Sequence, residues 1–151
     1  NPSGIATATI SSTRAETKTI TVTVNPSGTA VVLTTTPLIE FIADVSTISS
    51  TLSTVTAVPA TGVPADGIAT SSVTVTVVDA HGNPVPGQTV EVVASGSNNA
   101  IMPTFATTSG FGIATVTISS TTAEVKTITV TVNPSGSAVL LAASPTVEFV
   151  P

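Results

Sequence analysis

The chain has 151 residues and a net charge of −5 at pH 7, and only 7% of its residues are charged and 3% aromatic. It contains no Cys, Trp or Tyr, so disulfides, thiol nucleophiles and cysteine-ligated metals are excluded. Thr (31), Val (23) and Ser (18) dominate the composition. Because β-branched side chains lose χ1 freedom in a helix, this composition excludes an all-α fold.

Charge and hydropathy exclude two further classes of protein. Three basic residues against eight acidic ones would repel a phosphate backbone, so no nucleic-acid partner is expected. Ser and Thr interrupt every apolar run before it reaches the ~18 consecutive apolar residues that a membrane span requires. We therefore expect no membrane-spanning segment in this sequence.

Alternating Thr and aliphatic residues predict half-buried strands along most of the chain, with Ile and Val on one face and Thr on the other. In chain order, the predicted strands are residues 19–24, 52–58, 73–77, 88–94, 100–105, 113–119, 127–132, 138–141 and 146–150. Turn-forming residues separate them at 79–87, 95–99 and 107–110, and in the Asn-Pro-Ser-Gly tetrads at 25–28 and 133–136. Short strands with this punctuation predict an all-β fold, an antiparallel β-sandwich.

An internal repeat organises the chain. Residues 4–43 recur at 112–151, an offset of 108 residues, and 28 of the 40 aligned pairs are identical. This offset is far longer than a solenoid repeat of roughly 20–45 residues and fits a sandwich domain of about 100 residues. We therefore assign residues 1–43 to the C-terminal part of a preceding repeat and residues 44–151 to a complete repeat, with a junction at about 44–50.

The partial repeat has a consequence for folding. The closing strands of a sandwich, taken alone, have an apolar face and sheet edges that nothing covers. Either the sequence is a window cut from a longer tandem array, or strands from another copy complete residues 1–43. The sequence opens Asn1-Pro2-Ser3-Gly4 without Met or a signal peptide, and we favour the window.

A turn in the complete repeat is the most specific motif in the sequence, Asp79-Ala80-His81-Gly82-Asn83-Pro84-Val85-Pro86-Gly87-Gln88. The Asp79 carboxylate can cap the turn, and Gly82 and Asn83 tolerate positive φ. The two prolines withhold N–H donors from sheet pairing while the chain reverses. The predicted structural motif consists of Asp79, Gly82, Asn83, Pro84, Pro86 and Gly87.

This motif resembles the bacterial immunoglobulin-like domain of group 1, the repeat of intimin and invasin adhesins. The resemblance extends to Val63-Pro64-Ala65-Asp66-Gly67 before the motif, and to Thr107-Thr108-Ser109-Gly110 with Gly112-Ile113-Ala114 after it. It covers nearly all of residues 44–151. The resemblance implies immunoglobulin-like sandwiches joined end to end as a stalk, in an extracellular or bacterial cell-surface protein. No tip domain is recognised, so no tip ligand is implied.

Few residues offer chemistry, and we predict no catalytic residue and no cofactor. His81 is the only histidine and sits in the turn motif, no Gly-x-Ser-x-Gly motif occurs, and the acidic residues are scattered singly. Loop carboxylates can hold a structural calcium ion, although no Asp-x-Asp-x-Asp run is present. The weak calcium candidates are Glu40, Asp44, Asp66 and Asp79.

The sequence predicts a structural and adhesive role, as a tandem repeat in the shaft or fibre of a bacterial surface or secreted protein. Its expected partners are neighbouring copies of the same repeat. The alternative is a self-assembling filament subunit, in which strands of residues 1–43 complete a neighbouring copy. A carbohydrate- or receptor-binding module would need an exposed aromatic platform, which four Phe and no Trp or Tyr do not favour.

Overall fold

The computed structural model describes residues 3–151, and the chain divides into two compact units, Asn1–Ile42 and Ala43–Pro151. Among the described residues, every regular element is a β-strand except one 3₁₀ turn, Val45–Thr47.

The first unit consists of two small antiparallel sheets. One pairs β1 (Glu16–Thr19) with β4 (Leu38–Phe41), and the other pairs β2 (Thr23–Val24) with β3 (Val31–Val32). The predicted strand at 19–24 is therefore split at residues 20–22. Hydrogen bonds still cross this gap, because the Ile20 N–H donates to the Pro37 carbonyl over 2.9 Å.

The second unit contains two larger sheets. Its strands are β5 (Thr54–Val58), β6 (Val63–Pro64), β7 (Ser71–Thr76), β8 (Thr89–Ala94), β9 (Asn99–Met102), β10 (Phe105–Thr107), β11 (Ile113–Ser120), β12 (Val125–Val132), β13 (Val139–Leu140) and β14 (Thr146–Val150). One sheet has the order β5-β7-β11-β9, and the other has the order β10-β8-β12-β14-β6, with β13 also paired to β12. All of these pairs are antiparallel except β14 with β6. The predicted all-β sandwich is confirmed.

Side-chain alternation builds the core of the second unit. Val73 and Val75 of β7 face it from one sheet, and Ile128, Val130 and Val132 of β12 face it from the other. These side chains are small, and each contributes about 1.5–3 kcal/mol when it is buried. The stability of the core therefore comes from many modest contacts.

The observed strands follow the prediction closely in the second unit, with one instructive exception. The predicted strand at 100–105 is two strands, β9 and β10, which belong to different sheets. Pro103 lies between them, and it has no N–H to donate to sheet pairing. The chain crosses from one sheet to the other at this point, which the apolar pattern did not reveal.

Gly112 marks the closest backbone approach in the second unit. Its φ is +70°, in the left-handed region, and its carbonyl accepts the Val77 N–H over 2.8 Å. A Cβ at this position would lie 2.5 Å from the Val77 carbonyl oxygen and 3.0 Å from the Val85 nitrogen. The turn before β11 therefore fits against the turn motif only without a side chain.

We expect Gly112→Ala to lower the free energy of unfolding of the second unit by about 3 kcal/mol or more, because left-handed strain adds to a backbone clash. Gly87→Ala is the matched control, since Gly87 has φ +72° and a Cβ there would meet no atom within 4 Å. It should cost only about 1–2 kcal/mol. Urea denaturation measures both, and equal effects would contradict the close approach.

Candidate functional site

A buried carboxylate organises the turn motif. Asp79 is 1% exposed. Its Oδ1 accepts the N–H groups of His81 (2.8 Å) and Asn83 (2.9 Å). Its Oδ2 accepts the Asn83 side-chain amide (2.9 Å) and the Asp44 N–H (3.1 Å). Four N–H donors thus converge on one side chain, and they join the turn to the segment that enters the second unit.

These hydrogen bonds determine the ionisation of Asp79. Burial by itself would raise the pKa of its carboxyl group, but the Asn83 side chain and the backbone N–H groups of Asn83, Asp44 and His81 stabilise the charged form. Together they lower the pKa from 3.8 to about 2. The motif therefore holds a carboxylate ion at neutral pH.

The rest of the motif turns the chain around Asp79. Gly82 has φ +81° and donates its N–H to the Asp79 carbonyl over 3.0 Å. Asn83 does not share this left-handed backbone, and its side chain is instead buried against Asp79. Among the described residues other than glycine, positive φ occurs at Asn25, Asn98 and Asn133.

After the turn, the chain is held by a buried hydroxyl that the sequence did not single out. Pro84 pairs with Val78 in an isolated bridge, and Pro86 precedes Gly87, whose N–H donates to the Thr108 carbonyl over 2.9 Å. The Thr108 hydroxyl donates to the Val85 carbonyl and accepts the Gln88 N–H, both over 2.8 Å. Thr108 lies in a run of threonines, so its sequence context gives no signal of this role.

The other calcium candidates also act as turn caps. Asp44 precedes the 3₁₀ turn, and its Oδ1 accepts the Ser46 hydroxyl (2.6 Å) and N–H (2.9 Å), which lower its pKa. Asp66 Oδ1 accepts the N–H groups of Ala69 (2.7 Å) and Ile68 (2.8 Å), which lower its pKa in the same way. Glu40 lies on β4 of the first unit. Within residues 3–151, no three acidic or histidine side chains come together as metal ligands.

His81 lies at the exposed tip of the motif. Its backbone N–H donates to Asp79 Oδ1, and its residue is exposed to solvent. The contact shown for His81 is therefore structural and made by its backbone.

A fully buried lysine is the largest polar group that the sequence prediction missed. Lys126 on β12 has no exposed surface, and its Nζ donates to the Ser97 carbonyl over 2.6 Å and to Glu124 Oε1. The ion pair with Lys126 and the N–H of Ser97 lower the pKa of Glu124. Lys126 shares the inward parity of Ile128, so extending the alternation by two residues would have placed it in the core.

An open cleft of about 590 Å³ lies beside the 3₁₀ turn. Its lining residues are Val45, Ser46, Ile48, Gln88, Thr89, Asn133, Pro134, Ser135, Gly136, Ser137 and Val139, which include no charged or aromatic side chain. The Asn133 amide donates to Gln88 Oε1 over 2.7 Å, and its Oδ1 accepts the Thr89 N–H over 3.2 Å. The polar groups at this cleft thus bond to one another.

The two-sheet sandwich and its turn motif define an immunoglobulin-like domain. Residues 47–150 match the profile of the bacterial Ig-like domain (group 1), and the chain belongs to this family. The resemblance seen in the sequence is confirmed.

Solved structures of adhesins share this fold. The adhesin InvE of Yersinia pseudotuberculosis is 30% identical, with a TM-score of 0.59 over 70% of this chain and 28% of its own. Invasin, described as a bacterial integrin-binding protein, is 26% identical, with a TM-score of 0.58 over 89% of this chain and 25% of its own. A C-terminal fragment of intimin, solved with the intimin-binding domain of its translocated receptor, is 25% identical, with a TM-score of 0.53 over 68% of this chain and 33% of its own.

The chain thus spans about a quarter to a third of these proteins. A comparison with curated protein sequences gave no match. Across the described residues, no helix is long and apolar enough to cross a bilayer.

We expect Asp79 to give the second unit acid-dependent stability. Because its folded-state pKa of about 2 lies below 3.8, its contribution of about 2 kcal/mol is present above pH 4 and is lost as the pH falls towards 2. Asp79→Asn should remove this dependence and cost about 2–4 kcal/mol at pH 7, since an amide nitrogen would face two N–H donors. Urea denaturation between pH 2 and 7 measures both effects.

The matched control for this experiment is Asp66→Asn, which changes an exposed turn-capping carboxylate of the same unit. We expect it to cost about 1 kcal/mol or less. If the two variants lost equal stability at pH 7, the buried hydrogen-bond network would not be the cause.

We expect Lys126→Met to destabilise the second unit by about 1–2 kcal/mol. The variant loses the charge-assisted hydrogen bond to Ser97, while the methionine chain keeps the apolar packing of the lysine stem. Lys18→Met is the matched control, because Lys18 is the equivalent of Lys126 in the first unit and forms the same ion pair, with Glu16. The unfolding of the second unit, followed by urea denaturation, should not change in that control.

Proposed function

We propose that this chain is a structural segment of a bacterial surface adhesin, in which immunoglobulin-like domains form a shaft that holds other parts at a distance. Membership of the bacterial Ig-like family is the observation that carries this proposal. The internal polar contacts support it, since Asp79, Thr108 and Lys126 all bond within the second unit. The proposed location is the bacterial cell surface or the extracellular space.

The way the ends of the second unit are attached supports a load-bearing role. At its N-terminal side, Asp44 is hydrogen-bonded to Asp79, and the Ser49 N–H donates to the Val78 carbonyl over 2.9 Å. At its C-terminal side, β14 pairs with both β12 and β6. Because ladder hydrogen bonds lie across the strands, a load along β14 would shear both ladders together.

The composition and surface favour this role over receptor binding. Intimin and invasin are described with a receptor and with integrin binding, but those properties belong to much longer chains. Here the exposed aromatic side chains in the second unit are Phe105 and Phe111, and the chain has no Trp or Tyr. Aromatic platforms are the usual apolar anchors of a recognition surface. We therefore propose no tip ligand for this segment.

Force spectroscopy on the full chain tests the load-bearing role. We expect the second unit to unfold in one step when the chain is stretched between its ends. The step should lengthen the chain by up to roughly 390 Å, because residues 43–151 number 151 − 42 = 109 and each extends about 3.6 Å. Asp79→Asn should lower the unfolding force and Asp66→Asn should not. Gradual extension without a force peak would contradict a load-bearing domain.

A competition assay separates a shaft from a binding module. Bacteria displaying the protein that contains this sequence are allowed to adhere to a surface in the presence of excess soluble chain, residues 1–151. A shaft segment leaves adhesion unchanged. Inhibition that rises with the concentration of soluble chain would show that this segment itself binds the receptor.

A further inference from the structure

The first unit has the internal geometry of the closing half of the second. With the offset of 108 residues, β1 with β4 corresponds to β12 with β14, and Lys18 opposite Ile39 corresponds to Lys126 opposite Val147. The pairing of Val24 with Val31 likewise corresponds to that of Val132 with Val139. The closing strands therefore have the same register in both units.

Smaller features of the two units also agree. The Gly28 N–H donates to the Asn25 carbonyl over 3.0 Å, and the Gly136 N–H donates to the Asn133 carbonyl over the same distance. Asn25 and Asn133 have φ of 54° and 53°. The hairpin turn is thus reproduced in detail.

The burial of equivalent side chains differs sharply. Val22 and Val24 are 41% and 44% exposed, whereas Val130 and Val132 are fully buried. The same contrast holds for three further pairs, Ile10 with Ile118, Leu33 with Leu141, and Ile39 with Val147. We call the exposed set Ile10, Val22, Val24, Leu33 and Ile39 the open face of the first unit.

The second unit shows what covers such a face. There, β8 pairs with β12 along residues 128–132, β6 pairs with β14, and β7 and β9 flank β11. All four covering strands lie between residues 44 and 111. In the first unit, residues 5–12, which correspond to β11, do not form a strand.

The point of entry into the first unit is also prepared. Gly4 has φ +70°, the same as Gly112, its equivalent at the turn before β11. Around Gly112 the space is filled by Val77, Pro84 and Val85, all from the first half of the repeat, whereas nothing lies within 4 Å of a Cβ at Gly4. The chain direction and the free space at Gly4 therefore suit a preceding segment of the same kind.

We propose that the open face of the first unit is a docking surface for the N-terminal half of a further repeat, a segment with the chemistry of residues 44–111 joined directly before Gly4. The segment would add the strand equivalent to β8 beside residues 20–24 and bury Val22 and Val24 under alternating valines. This proposal rests on the tandem arrangement proposed above and specifies its partner, its connection and its register.

The experiment compares the full chain with an extended chain, in which a copy of residues 44–111 replaces residues 1–3. Amide hydrogen exchange is measured at residues 17–24, with residues 125–132 as the internal standard of a folded domain. We expect exchange at 17–24 to slow by at least about 100-fold in the extended chain and to approach that of 125–132. Exchange within about threefold of the original chain would overturn the proposal.

Two variants of the extended chain test the surface. Val22→Asp places a charge on the open face and should abolish the slowing at 17–24, while residues 125–132 remain protected. Thr21→Asp is the matched control, because Thr21 corresponds to the exposed Thr129, and it should keep the slowing. If both variants lost the protection, docking on this face would be refuted.

A disulfide tests the register without depending on stability, since the chain has no Cys. Val93 lies opposite Thr129 in the second unit. Val93→Cys in the added copy should therefore form a disulfide with Thr21→Cys, and not with Thr17→Cys, as read by mass spectrometry. Absence of the Thr21→Cys disulfide, or equal yields from the two pairs, would overturn the proposed register.

The oligomeric state distinguishes the source of the docked segment. If the original chain formed dimers with slowed exchange at 17–24 as its concentration rose, the occupant would be a second copy and the proposed connection before Gly4 would be wrong. Neither this result nor a failure to dock would alter the force peak or the competition result, which test the proposed shaft through the second unit.

Discussion

A β-strand can bury only every second side chain, and it does so only where another sheet faces it. This constraint governs the chain because its core residues are small and individually weak. In the second unit, two sheets turn their valines and isoleucines towards each other and bury them. In the first unit, nearly the same sequence forms the same hairpins, yet its valines stay exposed. Local sequence therefore determines the register of these hairpins, and burial depends on the facing half of the repeat.

The few polar groups inside the second unit serve its architecture. Asp79 holds the turn motif and the entering chain, Thr108 closes the next turn, and Lys126 spans from the core to Ser97. A buried polar group stabilises a fold only when its hydrogen bonds are satisfied, so these residues specify how the loops join the sheets. Such a use of polar side chains suits a domain whose proposed task is mechanical.

Much of the fold could be predicted from the sequence, because the Thr–Val alternation and the repeat both carry their information locally. The sandwich and the family followed from those patterns and from the motif around Asp79. The change of sheet at Pro103 could not be predicted, since it depends on which sheet each half of an apolar run joins. The two-residue strand β6 was missed because its parallel partner, β14, is more than 80 residues away in sequence. For the polar groups, the carboxylate cap had a sequence signal, whereas Thr108 had none.

The hairpins of the first unit have a further consequence, for the order in which such a repeat folds. Their turns and register are present without a surrounding core, and Gly4 already has the backbone conformation of Gly112. The loss of conformational entropy in these turns is thus met by local contacts of short sequence separation, which form fastest. Completing a repeat then requires the meeting of two halves, of which the closing half is already arranged. The slow step of folding would be the pairing of β8 with β12, whose strands are joined by a long excursion of the chain.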